Sequence, residues 1–115
     1  MPTREQIYLQ GEERMANLII VYWRDIPAQV IVKQGRTAAK RELPERFVTS
    51  IDAAAMKAGA RDTDSYLADW RRADPVTVGD DLEAEAAAWA AKLEAEYPQD
   101  RLVALAKAGG YEEQN

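Results

Sequence analysis

The apolar positions of this chain change period along its length, and those changes divide it into elements. Leu18-Ile19-Ile20-Val21-Tyr22-Trp23 is a β-branched and aromatic run too short for a self-standing helix, and it predicts a strand. Pro27 cannot donate a ladder hydrogen bond, and it biases Ile26 toward extended geometry. Arg24–Ala28 therefore suits a hairpin connection with an edge or bulge, and Gln29–Lys33 the returning strand. Gly35 permits a turn, and the basic stretch Arg36–Glu42 follows as a connection or an extension of the strand.

The period then lengthens to that of a helix. Phe47, Ile51 and Ala55 are four apart, Pro44 suits a first helical position, and Gly59 suits the C-terminal cap. Asp62-Thr63-Asp64-Ser65 reads as a polar turn. Tyr66–Arg72 fits two periods: Leu67 and Trp70 share a helical turn, while Tyr66, Ala68 and Trp70 alternate. A third strand is expected here, because Pro75 and Val76-Thr77-Val78 follow and two strands alone make a marginal sheet. Asp80 and Glu83 then form a D-x-x-E capping box. Behind it Leu82, Ala86, Trp89 and Leu93 make a stripe that Tyr97 extends and Pro98 stops. A shorter helix, Asp100–Ala108, buries Leu102, Leu105 and Ala106 and ends at Gly109-Gly110.

The predicted class is α+β: a small antiparallel sheet of about three strands, in β-β-α-β-α-α order, with helices packed on one face. Residues 16–110 form the single domain. Residues 1–15 are an N-terminal extension, in which Ile7 and Leu9 alternate weakly, and 111–115 are a tail.

Composition changes this picture mainly by exclusion. The 115 residues contain no cysteine and no histidine, which rules out a disulfide framework, a thiol nucleophile, a zinc-thiolate site or an imidazole base built from this chain. Hydrophobic residues make up 47%, but many are alanines, so the bulky core is thinner than that share suggests. A net charge of −5 disfavours general binding to nucleic acid or anionic membranes, and neither is expected as a partner. The longest apolar run is too short to span a bilayer, and the first residues lack a signal-peptide pattern, so a cytoplasmic location is expected.

Candidate chemistry is sparse. Asp62 and Asp64 share a turn and Asp80 and Asp81 open a helix, places where carboxylates cap backbone N–H groups. Asp62-x-Asp64 lacks the glycine and glutamate of a calcium loop. Gly35-Arg36-Thr37 has one glycine and no phosphate-loop pattern. No metal site and no cofactor are expected. The polar insert between the first two strands is the strongest candidate, with the binding set Trp23, Arg24, Asp25, Gln29, Arg46, Tyr66 and Trp70. Its aromatics suit core packing or a ligand platform. Arg24, Arg71 or Arg72 suit stacking on such a ring or pairing with Asp25 or Asp69. An Arg–carboxylate pair of this kind explains the insert as architecture; a concavity lined by Arg24 and Gln29 explains it as a site.

The strings IVYWRDIPAQV at 20–30, LPERF at 43–47, IDAAAM at 51–56 and YLADWRR at 66–72 resemble the bacterial virulence-factor domain family. That family is related to a segment of the conserved virulence factor C proteins of firmicutes, whose larger members carry further domains, including helical repeats. The resemblance covers about Leu18–Arg72. Trp23, Arg24, Asp25, Pro27, Gln29, Arg46, Phe47, Asp52, Tyr66 and Trp70 match its pattern. It implies a small accessory or interaction domain and assigns no catalytic residue. The expected function is thus a non-catalytic protein-interaction domain presenting the Trp23–Val30 hairpin, with a protein partner or a homodimer through a strand edge. The alternative is an accessory subunit that handles a small molecule or cofactor in one-carbon or methyl-transfer metabolism. A stand-alone enzyme would need Asp25, Asp52 or Asp64 desolvated beside a cation.

Overall fold

The computed structural model describes residues 15–60 and 62–112. The weak alternation of Ile7 and Leu9 lies outside them. Five strands are seen among the described residues: β1 (Ala16–Trp23), β2 (Ile26–Gln34), β3 (Thr37–Glu42), β4 (Trp70–Arg72) and β5 (Val76–Val78). Four helices accompany them among the described residues: α1 (Glu45–Ala58), α2 (Thr63–Ala68), α3 (Leu82–Glu96) and α4 (Gln99–Lys107). The strands form one antiparallel sheet in the order β3-β2-β1-β4, with β5 also paired to β1. The class is α+β, with more strands than the expected three.

The hairpin is tighter than expected. Its connection is Arg24-Asp25 alone, and Pro27 lies within β2 opposite Tyr22, next to a register shift between Val21 and Tyr22. A bulge absorbs a proline that cannot donate to the ladder. The basic stretch after Gly35 forms β3, whose Lys40 and Arg41 pair with Ile31 and Val30.

Tyr66–Arg72 is not one strand. Asp62 accepts from Ser65 N at 2.7 Å and from Ser65 Oγ at 3.2 Å, so the expected polar turn is the capped start of α2. Only Trp70–Arg72 is extended, paired with Trp23, Tyr22 and Val21. Local capping decides the first half and strand pairing the second. The cap of α3 is Asp81, which accepts from Ala84 N at 3.1 Å, one residue later than the expected Asp80. Pro98 precedes α4 as its N-cap, and Tyr97 closes α3.

Register sorts the sheet into two faces. Leu18 pairs with Val32 and Ile20 with Val30, and Ala39 lies opposite Val32. Leu18, Val30, Val32 and Ala39 join Phe47, Ile51, Ala86, Leu93, Leu102 and Leu105 in one buried core, and the half-buried Ile20 packs against it. Each large side chain buried there stabilises the fold by about 1.5–3 kcal/mol. Helices α1, α3 and α4 therefore cover one face. Gly59 (φ 77°) ends α1, with Ala60 N–H donating to Ala55 O at 2.9 Å.

Candidate functional site: the hairpin end and its groove

The two-residue connection places a side chain where glycine is normally found. Arg24 has φ 55° and is the one non-glycine residue at positive φ among those described. That conformation costs a Cβ-bearing residue about 1–2 kcal/mol, so the surroundings must hold it. Arg24 N–H donates to Asp69 O at 3.1 Å, and Arg24 Nε and Nη2 both donate to Asp69 Oδ2, at 3.1 and 3.0 Å. Nη1 donates to Gly109 O at 2.8 Å. The guanidinium lies 4.8 Å from the Trp23 ring and 4.7 Å from that of Tyr111.

Asp25 engages the same two regions. Its N–H donates to Gly110 O at 2.8 Å, and its Oδ2 accepts from Glu112 N at 2.7 Å. Its Oδ1 lies 3.4 Å from Arg71 Nη2, while Arg71 Nε donates to Arg24 O at 3.0 Å. The ion pairs thus run crosswise, Arg24 to Asp69 and Asp25 to Arg71. Both tie the sheet end to the chain leaving α2, and both residues also grip the segment after α4. Gly109 (φ 73°) and Gly110 (φ 95°) make that grip possible. A Cβ on Gly110 would meet Trp23 Cζ3 at 3.0 Å.

Trp23 is fully buried, and its Nε1 donates to Tyr66 O at 2.8 Å. Tyr66 stacks on it (centroids 5.8 Å apart, planes at 24°), and Trp70 meets Tyr66 edge-on at 5.9 Å. Burial, with Asp52 adding to it, raises the Tyr66 phenol above its ordinary pKa. Beside this aromatic ladder lies an open groove of about 750 Å³, lined by Asp52, Ala55, Met56, Ala60, Asp62, Thr63 and Tyr66. Met56 and Leu67 are 68% and 56% exposed.

Two members of the expected binding set stand apart from this cluster. Arg46 Nη2 donates to Glu94 O at 3.0 Å and approaches Tyr97 O at 3.5 Å, a cationic cap on the end of α3. Its Nε is buried without a partner. Gln29 sits on the sheet face away from the core, across from Val21 and Glu42. The structure therefore brings together Trp23, Arg24, Asp25, Tyr66 and Trp70. It adds Asp69, Arg71 and the Gly109–Glu112 segment. Met56 and the groove escape sequence reasoning because an exposed methionine in a helical stripe carries no signal of its own. The carboxylates of the enzyme hypothesis do not share a cleft: Asp52 and Asp64 are exposed, and Asp25 faces Arg71.

A second, smaller recess of about 290 Å³ lies between Tyr22, Asp25, Arg71, Tyr97 and Glu112. Burial raises the pKa of both phenols there. Arg71 lies over the Tyr22 ring at 4.5 Å, and Arg101 over that of Tyr97 at 4.0 Å. Arg101 is also paired with Glu112, which raises its pKa. Among the described residues, no helix is long and apolar enough to cross a membrane.

Comparison with known proteins adds one finding. Residues 21–106 match the family model described as Virulence factor. No curated protein matches the chain, and no solved structure does.

Proposed function

The chain belongs to the virulence-factor family, and on that premise we propose that it is a non-catalytic accessory domain that docks a protein partner. The docking surface is the groove beside the hairpin end. The observation that carries this reading is the exposure of Met56, which lines the groove with Tyr66, and of Leu67, the next residue of the same short helix as Tyr66, on a support fixed by the Trp23–Tyr66 stack and the Arg24–Asp69 pair. Apolar side chains presented on a rigid frame lose little entropy on binding, which is how interface anchors gain their energy. In this reading the hairpin acts through α2: its polar residues hold the presenting helix. The charged groups at the hairpin are engaged with one another or with backbone, which suits a scaffold better than acid–base work.

The test is co-purification from cells that make the protein natively. Met56→Asp and Leu67→Asp are expected to lose a partner that Val103→Asp, on the exposed side of α4, retains. A partner held equally by all three variants, or none held by the unaltered chain, overturns the reading.

A second reading rests on the size of the groove. A volume of about 750 Å³ with Asp52 and Asp62 beside an aromatic ring also suits a small molecule or cofactor, as in one-carbon or methyl-transfer metabolism. A ligand at a hundred times its Kd stabilises by about 2.7 kcal/mol. A thermal-shift screen of folates, nucleotides and corrinoids with no stabilisation removes this alternative.

A further inference from the structure

The sheet face opposite the helices has an apolar centre and a basic rim. Ile19 pairs with Ile31, and Val21 follows on the same face of β1. None of the three belongs to the core cluster or packs against it, although Ile31 is only 6% exposed. Lys40 of β3 lies beside Ile31, Lys33 of β2 is two residues further along, and Arg72 of β4 lies beside Val21. All three cations are exposed. Glu42, across from Gln29, is the one carboxylate that register places on the described part of this face. The patch is thus cationic on a chain whose net charge is −5.

We propose that this face docks an amphipathic helix of a partner protein, with an aliphatic stripe flanked on both sides by acidic residues. The dimensions favour a helix. The apolar residues span β1 and β2, adjacent strands about 4.8 Å apart, and the stripe with its flanking strands is about as wide as one helix, roughly 10–12 Å across. The cations lie on both sides of the stripe, Lys40 toward β3 and Arg72 toward β4, so both flanks of the helix meet positive charge. The other face of the same sheet already takes an element of this kind. Helix α3 carries Glu83, Glu85, Glu94 and Glu96, and its Glu83 lies 3.6 Å from Arg41 of β3.

The chemistry also disfavours the other occupants. Open sheets that bind single-stranded nucleic acid stack bases on exposed aromatic rings; here the centre is aliphatic, and the two aromatics that follow in register, Trp23 and Trp70, are engaged with Tyr66. Two copies meeting through this face would oppose their cations. The site shares no lining residue with the groove and does not depend on the reading given to it.

Photocrosslinking tests this directly. A benzophenone amino acid replaces Ala38 or Thr77, exposed positions on this face, and Val103 on α4 serves as the control site, in cells that make the full chain. Crosslinks at 38 and 77 but not at 103 are expected. The captured peptide should be acidic, with aliphatic residues at helical spacing. Lys33→Glu with Lys40→Glu should cut the yield at least tenfold while the melting temperature is kept, and Lys33→Arg with Lys40→Arg should keep the yield. Met56→Asp should leave these crosslinks intact even where it abolishes the groove partner, which separates the two surfaces. A captured segment that is basic, a nucleic acid, or a second copy of this chain overturns the proposal. So does a yield no greater than at the control site, or one indifferent to charge reversal.

Discussion

Replacing Arg24 separates two energies that the folded protein balances against each other. Arg24→Ala removes the guanidinium from Asp69 Oδ2, Gly109 O and the two aromatic rings, but keeps a Cβ at φ 55°. The side chains of Arg24 and Asp69 are 17% and 31% exposed, so solvent screens the pair and its share is about 1 kcal/mol. The hydrogen bond to the Gly109 carbonyl and the ring contacts contribute about as much again. The total loss is then about 2 kcal/mol. Arg24→Gly loses the same partners but relieves the left-handed strain of about 1–2 kcal/mol, offset by about 0.5–1 kcal/mol of added unfolded-state freedom. Glycine should therefore be the milder substitution, by about 0.5–1 kcal/mol, although it removes more atoms. Urea unfolding at pH 7 measures both values, and a cycle with Asp69→Ala isolates the pair. For a domain of this size, 1 kcal/mol moves the melting temperature by about 4–8 °C. If Arg24→Gly is as damaging as Arg24→Ala, strain at the connection does not explain the residue. A coupling energy below about 0.3 kcal/mol would falsify the assignment of Asp69 as its partner.

The other predictions concern different parts of the same frame. Gly110→Ala forces a Cβ to within 3.0 Å of the Trp23 ring at φ 95°, and should cost about 2 kcal/mol or more in chemical unfolding. Phe47→Ala empties a fully buried core position and should cost about 3–5 kcal/mol by the same measurement. Tyr22 and Tyr97 have raised pKa values in the folded state, so the folded form holds its phenol protons longer than the unfolded form. Their contribution is complete below pH 10.0, the unfolded value, and is lost as pH rises through the folded values. Tyr22→Phe with Tyr97→Phe should flatten the fall in stability above pH 10; an unchanged alkaline limb would remove the phenols as its cause. Asp62 acts in the opposite direction, since the Ser65 N–H lowers its pKa. Asp62→Asn should weaken the acid loss of α2 below pH 3.8, read as helix signal by circular dichroism.

Much of the fold is legible in the sequence, for identifiable reasons. The run Leu18–Trp23 and the four-residue spacing of Phe47, Ile51 and Ala55 each report one unambiguous period, and β1 and α1 follow from them. The class and the one-sided packing of helices follow as well. Tyr66–Arg72 reads wrongly as a single strand because two influences divide it within seven residues. A capping bond from Asp62 makes its first half helical, and the ladder partner of Trp70 lies 47 positions away at Trp23. Asp62-Thr63-Asp64-Ser65 has the composition of a turn as much as of a cap, so the helical half is missed, and nothing local marks where the ladder to Trp23 begins. Within the site, the Arg–carboxylate pairing is open to inference from residue types, but the partner of the Arg24 Nη1 group is not. It is a backbone carbonyl at Gly109, and carbonyls leave no trace in a sequence.

The polar insert of the first hairpin therefore has its explanation in connectivity. Arg24 and Asp25 are the meeting point of three segments distant along the chain: the end of β1, the link between α2 and β4, and the turn after α4. A small alanine-rich core has few bulky side chains with which to fix its last helix, so charge-assisted bonds at the sheet end take over that task. The consequence for function is a division of labour. Residues that a sequence motif emphasises hold the frame, and the surfaces proposed for a partner carry ordinary residues: Met56 in the groove, the exposed Leu67, and Ile19, Val21 and Lys40 on the sheet face away from the core. Substituting the motif should lower stability and binding together, whereas substituting those surface residues should lower binding alone. Measuring both quantities on the same variants distinguishes frame from interface whatever the partner is.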